Sequence, residues 1–240
     1  MGRAHEVRKA SMAKSAAAKS ALNGRAAKEI YMAAKNGVAD PNANLALRSA
    51  IDKAKSKQIP SDVIKRAIDR AAGGDAEAYV SNRYEGYGPG STAIIVDSLT
   101  SNVNRAIAEI RDAFNKNGGK LGQNGSVSHM FNATSIFEFE GKTLEETLEY
   151  LMEKEVEVND VIEDNGNIIV YAPFSSFSEV KQALDEFGIK NYKTAETIMT
   201  SENKIIVNDT EELSKFEKLL NKLNELEDVQ AVYHNADLYE

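Results

Sequence analysis

The chain contains no cysteine, which removes disulfides, thiolate metal ligands and cysteine nucleophiles at once and suits a reducing compartment. Histidine occurs only as His5, His129 and His234, more than a hundred residues apart in each gap. No serine sits in a nucleophile elbow. No apolar run approaches the roughly 18 residues that a membrane crossing requires, and the N-terminus is basic and alanine-rich without an apolar export segment. These absences predict a cytoplasmic protein with no membrane partner, no metal and no cofactor.

What is present is unevenly distributed. The first 75 residues carry 15 Lys and Arg against 7 Asp and Glu, whereas the remaining 165 carry 14 against 30. Basic surface attracts polyanions by releasing their counterions, and an acidic body repels them. The segregation predicts a nucleic-acid partner held by the first third, although lysine-rich helices also serve solubility alone.

Residues 1–75 read as helical. The opening "GRAHEVRKASMAKSAAAKSALNG" has alanine as nearly its only apolar residue, so helix propensity is high and there is little to bury. From Leu22 the apolar pattern firms through Ala26, Ile30 and Ala34, until Gly37 and Pro41 close the helix. A second helix carries Leu47, Ala50, Ile51 and Ala54. A third starts after Ser61, expected as its N-cap, and ends at Gly73 and Gly74. This predicts a small basic bundle with an arm in front.

Beyond Gly74 the period shortens to two. From residue 91 the segments "TAIIVDSL", "SVSHMF", "SIFEFE", "VEVNDVI", "NIIVYA", "YKTAETI", "KIIVND" and "VQAVYH" read as strands. Helices fall over 102–117, 144–154, 176–187 and 211–225. Thr143 with Glu146 and Ser176 with Glu179 have capping-box spacing, as does Asp209 with Glu212. Four β-α-β units predict two ferredoxin-like α/β plaits, an α+β fold, either in tandem or nested.

Two glycine-rich stretches invite a phosphate-cradle reading. In "YEGYGPG", residues 84–90, a strand follows the glycines where a nucleotide loop needs Lys-Ser or Lys-Thr and a helix. Gly88-Pro89-Gly90 suits a type II turn in a hairpin. In "NGGKLGQNG" Leu121 follows Lys120 where a hydroxyl belongs. Tyr84 and Tyr87 have the chemistry to stack on bases, and as strand-end aromatics they suit sheet packing better.

"YEGYGPGSTAIIVDSLTSNVNRAIAEIRDAF", "NGGKLGQNGSVSHMF", "IPSDVIKRAI" and "GRAHEVRKASMAKSAAAKS" together resemble the YebC/PmpR family across essentially the whole chain. The opening is similar to the YeeN-like branch, and the mitochondrial translational activators of cytochrome oxidase are relatives. The resemblance implies three domains: a helical basic domain over 1–75, a second plait over 76–132 plus 201–240, and a third plait over 133–200 inserted in the second. It also implies a role in gene expression as a DNA-binding transcriptional regulator, or alternatively as a translation factor binding RNA on the ribosome. The Gly-His-Ser-Lys-Trp start common in the family is absent, and Ser101 and Val103 stand where charged residues are frequent.

What transfers onto this sequence is the basic arm. Arg3, His5, Arg8, Lys9, Lys14 and Lys19, followed by Arg25 and Lys28, are expected to neutralise phosphates, which positions a partner without reading its sequence. Arg105, Lys120, Tyr84 and Tyr87 are expected secondary contacts. Catalysis is not expected, because acid pairs such as Glu145-Glu146 and Glu211-Glu212 are accounted for by the helix dipole. A ligand-sensing role for the plaits is the third class, with no obligatory small molecule indicated.

Overall fold

The structure is a computed structural model that describes residues 3–73 and 78–237, with side chains from residue 18 onward. It divides into two units, Met1–Met130 with Glu202–Glu240, and Phe131–Ser201.

The first unit begins with α1 (Arg3–Lys35), α2 (Leu45–Ser56) and α3 (Ser61–Ala72). Ile30, Tyr31 and Ala34 of α1 are buried against Leu47, Ile51 and Ala54 of α2 and Ile64 and Ala67 of α3. The Asn44 side chain accepts the Leu47 N–H at 3.0 Å and donates to the carbonyls of Ala33 and Val38 at 2.8 and 2.9 Å. One residue thereby caps α2 and fixes the chain leaving α1, where an Asn cap contributes about 1 kcal/mol. At α3 Pro60, not Ser61, takes the cap position, and no side chain caps it. Proline has no N–H to leave unsatisfied there.

Next come β1 (Val80–Tyr87), β2 (Ala93–Thr100), α4 (Val103–Lys116) and the short β3 (Lys120–Leu121). The chain then enters the second unit, with β4 (Asn132–Phe139), α5 (Leu144–Glu153), β5 (Asp160–Asp164), β6 (Asn167–Pro173), α6 (Phe177–Glu186) and β7 (Tyr192–Thr200). Its sheet has the order β5-β6-β4-β7, all antiparallel, which is the split β-α-β arrangement expected of a plait. Phe137, Phe139, Leu151, Val170 and Leu184 form its core. The Thr143–Glu146 capping box is formed, whereas Ser176 makes no side-chain cap.

On returning to the first unit the chain adds β8 (Ile205–Ile206), α7 (Thr210–Glu225), β9 (Val229–His234) and β10 (Ala236–Asp237). The sheet order is β3-β1-β2-β9, and α4 and α7 bury Ile110, Phe114, Phe216 and Leu219 against Ile94 and Val96. The expected layout of a helical domain and two plaits, one inserted in the other, is present, with two corrections inside the first plait. "SVSHMF" forms no strand: it holds a 3-10 helix over Ser128–Met130, and the Val127 and Ser128 N–H groups bind a side chain described below. "KIIVND" contributes only β8, which pairs in parallel with β10 outside the main sheet. The central slot beside β2 is filled instead by β1, the strand preceding the glycine turn.

That turn differs in type from the expectation. The Gly88 N–H donates to the Thr92 carbonyl at 2.8 Å, and the Thr92 N–H to Pro89 at 3.4 Å. Gly90 and Ser91 lie at φ 67° and 60°. Two successive residues of positive φ are the mark of a type I′ hairpin turn, which follows the twist of the strands. A Cβ at Gly90 would meet nothing nearer than 3.4 Å, so the constraint there is the backbone angle. Gly90→Val is expected to cost about 1 to 3 kcal/mol, seen as a lower urea midpoint with an unchanged slope. An unchanged midpoint would contradict the turn assignment.

Candidate nucleic-acid interface

The helix α1 carries eight of the expected contacts on one continuous element. The side chains of Arg3, His5, Arg8, Lys9 and Lys14 lie outside the described residues. Lys19 is exposed. Lys28, nine positions on, is buried at 5% exposure. Nine residues are about two and a half turns, which puts Lys19 and Lys28 on opposite faces of the helix.

Lys28 faces inward onto a carboxylate. Its Nζ is 2.8 Å from Asp228 Oδ1 and donates to the Glu227 carbonyl at 3.0 Å. Arg105, at the start of α4, reaches the other oxygen of the same carboxylate through Nη2 at 2.7 Å and Nε at 3.1 Å. Asp228 itself is 1% exposed. Burial alone would raise its pKa, but hydrogen bonds from Lys28 and Arg105 outweigh this and hold it below the usual range. Two cations singled out from the sequence thus share this carboxylate: Lys28 is buried and withdrawn from any phosphate, whereas Arg105 remains exposed on its outer side. Arg25 is also half-buried, and its guanidinium donates to the Asn224 carbonyl.

The secondary candidates divide in the same way. Tyr84 is buried in the core between sheet and helices, where no base can reach its ring. Tyr87 is 41% exposed, and its hydroxyl donates to the Ser126 carbonyl at 2.9 Å. Lys120 is exposed and paired with Tyr87 across the sheet edge. These two therefore share one surface with the glycine-rich loop over 122–125.

The loop is held by a residue the sequence reading passed over. Glu85, within "YEGYGPG", is 5% exposed and accepts three backbone N–H groups, from Gly125, Val127 and Ser128, each at 2.8 Å. Burial works to raise its pKa, yet the three donors together bring it below the usual range. An acid flanked by tyrosine and glycine in a strand was the available signal. Its partners, 40 to 43 residues downstream, were not visible.

Comparison with known proteins decides the family. A model described as the TACO1/YebC protein N-terminal domain matches residues 3–74, and one described as the TACO1/YebC second and third domain matches residues 79–236. The chain belongs to the TACO1/YebC family. It is 62% identical to a probable transcriptional regulatory protein of Mesoplasma florum, over 99% of this chain and all of that one. A probable transcriptional regulatory protein of Mycoplasma capricolum is 59% identical over the same shares. Among solved structures, a conserved hypothetical protein of Aquifex aeolicus, Aq1575, superposes with a TM-score of 0.79 at 34% identity, covering 92% of this chain and 91% of that one.

In this TACO1/YebC chain the two buried carboxylates generate a stability prediction. Asp228→Asn leaves Lys28 buried without its counter-charge and should cost about 3 to 5 kcal/mol. Because both carboxyls are depressed in the folded state, their contribution is complete above the unfolded carboxyl range of about 4 and is lost as pH falls through the folded values. Urea melts between neutral and acid pH should therefore show a flatter acid limb for Asp228→Asn and for Glu85→Gln than for the parent. Parallel limbs would show that neither carboxyl is linked to folding.

Proposed function

We propose that this chain is a non-enzymatic, cytoplasmic regulator of gene expression that binds DNA through the basic arm of α1. The observation that carries the reading is the placement of charge. An excess of cations is confined to the first 75 residues, and within α1 the exposed Lys19 continues a run of cations toward the N-terminus while Lys28 is engaged inside. The full-length relatives named probable transcriptional regulatory proteins support the same reading. Phosphate contacts from a single helix position a duplex without specifying its sequence. The exposed surface of Tyr87 and Lys120 offers a second point of contact.

Among the described residues no helix is long and apolar enough to cross a bilayer, and no group of three histidine, aspartate or glutamate side chains is placed to hold an ion.

The test is the salt dependence of binding. Each phosphate contact contributes about 0.9 to the slope of log K against log salt on duplex DNA, so neutralising Arg8, Lys9, Lys14 and Lys19 together should flatten the slope by roughly 3 to 4. The loss should be alike for different sequences, and circular dichroism should show the α/β units still folded. An unchanged affinity and slope would rule the arm out. Tighter binding to single-stranded or ribosomal RNA than to duplex DNA would move the target from transcription to translation.

A further inference from the structure

Helices α1 and α3 leave an open groove of about 490 Å³ between them. Ala67 is buried and Ala27 and Val63 are half-buried, so they form its floor, whereas Arg66 and Arg70 are exposed at its rim. The described lining holds these two cations and no carboxylate. It reaches Ser20, the residue after the exposed Lys19, so the groove continues the basic arm along the same helix.

Gly24 opens the groove from the α1 side. It stands inside a helix of 33 residues, where glycine is the poorest helix former after proline. The usual reasons for a glycine do not apply there: its φ is not positive, and a Cβ would meet nothing within 4 Å. What the missing side chain preserves is the depth of the groove.

The two arginines are one turn apart on α3 and so stand on one face of it. Arg70 lies over the Tyr31 ring, 5.0 Å from its centre, and its Nη2 is 3.5 Å from the Tyr79 hydroxyl. Stacking engages the flat face of a guanidinium, whereas phosphate oxygens are bound in its plane. Arg66 donates to Asp62 Oδ2 at 2.7 Å and to the Asp62 carbonyl at 3.2 Å, with both side chains largely exposed. An exposed pair of this kind is worth little, so a phosphate competes with it for the guanidinium. The floor of small aliphatic residues offers no ring for a base to stack on, which favours the backbone of a nucleic acid over its bases.

We propose that the α1–α3 groove is a second contact for the DNA duplex held by the arm, with phosphates of one strand on Arg66 and Arg70 and the backbone entering at Gly24. The inference rests on the reading of the arm as a DNA contact and extends the interface to α3, a helix from which the sequence singled out no contact residue.

The experiment measures affinity for a labelled random-sequence duplex against salt, by fluorescence anisotropy on the full chain. Arg66→Gln with Arg70→Gln should weaken binding and flatten the slope of log K against log salt by about 1.8, two contacts at about 0.9 each. Because Arg70 also stacks on Tyr31, Arg66→Gln alone is the second variant, and it should flatten the slope by about 0.9 with the melting midpoint of the parent. Gly24→Leu leaves every charge in place and fills the groove. It should weaken binding several-fold while melting no lower than the parent, since leucine is the better helix former. If the arginine variants and Gly24→Leu bind as the parent does while neutralising Arg8, Lys9, Lys14 and Lys19 weakens binding, the groove is overturned and the arm stands. Loss in the groove variants alone supports the groove and overturns the arm. A parent chain that does not bind the duplex overturns both.

Discussion

A single buried carboxylate ties the helical bundle to the first plait. Asp228 stands between α7 and β9, accepts Lys28 from α1 on one oxygen and Arg105 from α4 on the other, and is almost fully removed from solvent. A buried ion pair gains little over a well-packed apolar contact, but removing one partner leaves a stranded charge. The contact is one of several that dock α1 on the plait, beside Arg25 on the Asn224 carbonyl and Lys28 on the Glu227 carbonyl. The two partners of Asp228 come from positions 200 and 123 residues away in the chain, so the contact also closes the first unit across the inserted second one.

This constraint sorts the basic residues of the molecule. Lys28 of α1 is committed to the plait, whereas Lys19 lies nearer the start of the helix, where residues 18–20 are all exposed. Arg105 is committed to the same carboxylate, and Tyr84 to the core. A second acid, Glu85, does for the glycine-rich loop what Asp228 does for the bundle. By holding three backbone N–H groups it presents Lys120 and the residues around it on a fixed surface.

Much of the architecture was legible because it rests on local signals. Apolar spacing marked α2 and α3, the Thr143–Glu146 box marked α5, and alternating apolar residues marked β2, β4, β6 and β9. "SVSHMF" alternates as a strand should, yet its N–H groups are taken by Glu85 from 42 residues away, a competition no window on the sequence contains. "KIIVND" lost its place to β1 because strand slots are assigned by pairing across the sheet. For the candidate interface the limit was sharper. Lys19 and Lys28 are indistinguishable as residue types, and only their places along α1 relative to the bundle and to Asp228 separate an exposed cation from a buried one.

The division of cations can be read directly by lysine acetylation and mass spectrometry on the full chain, free and saturated with duplex DNA. Lys9, Lys14 and Lys19 should react in the free protein and be protected in the complex. Lys28 should react slowly in both states, and Lys190 and Lys193 of the second unit, which are exposed, should be unchanged. Protection at Lys190 and Lys193 with the arm still reactive, or fast modification of Lys28 in the free protein, would contradict it.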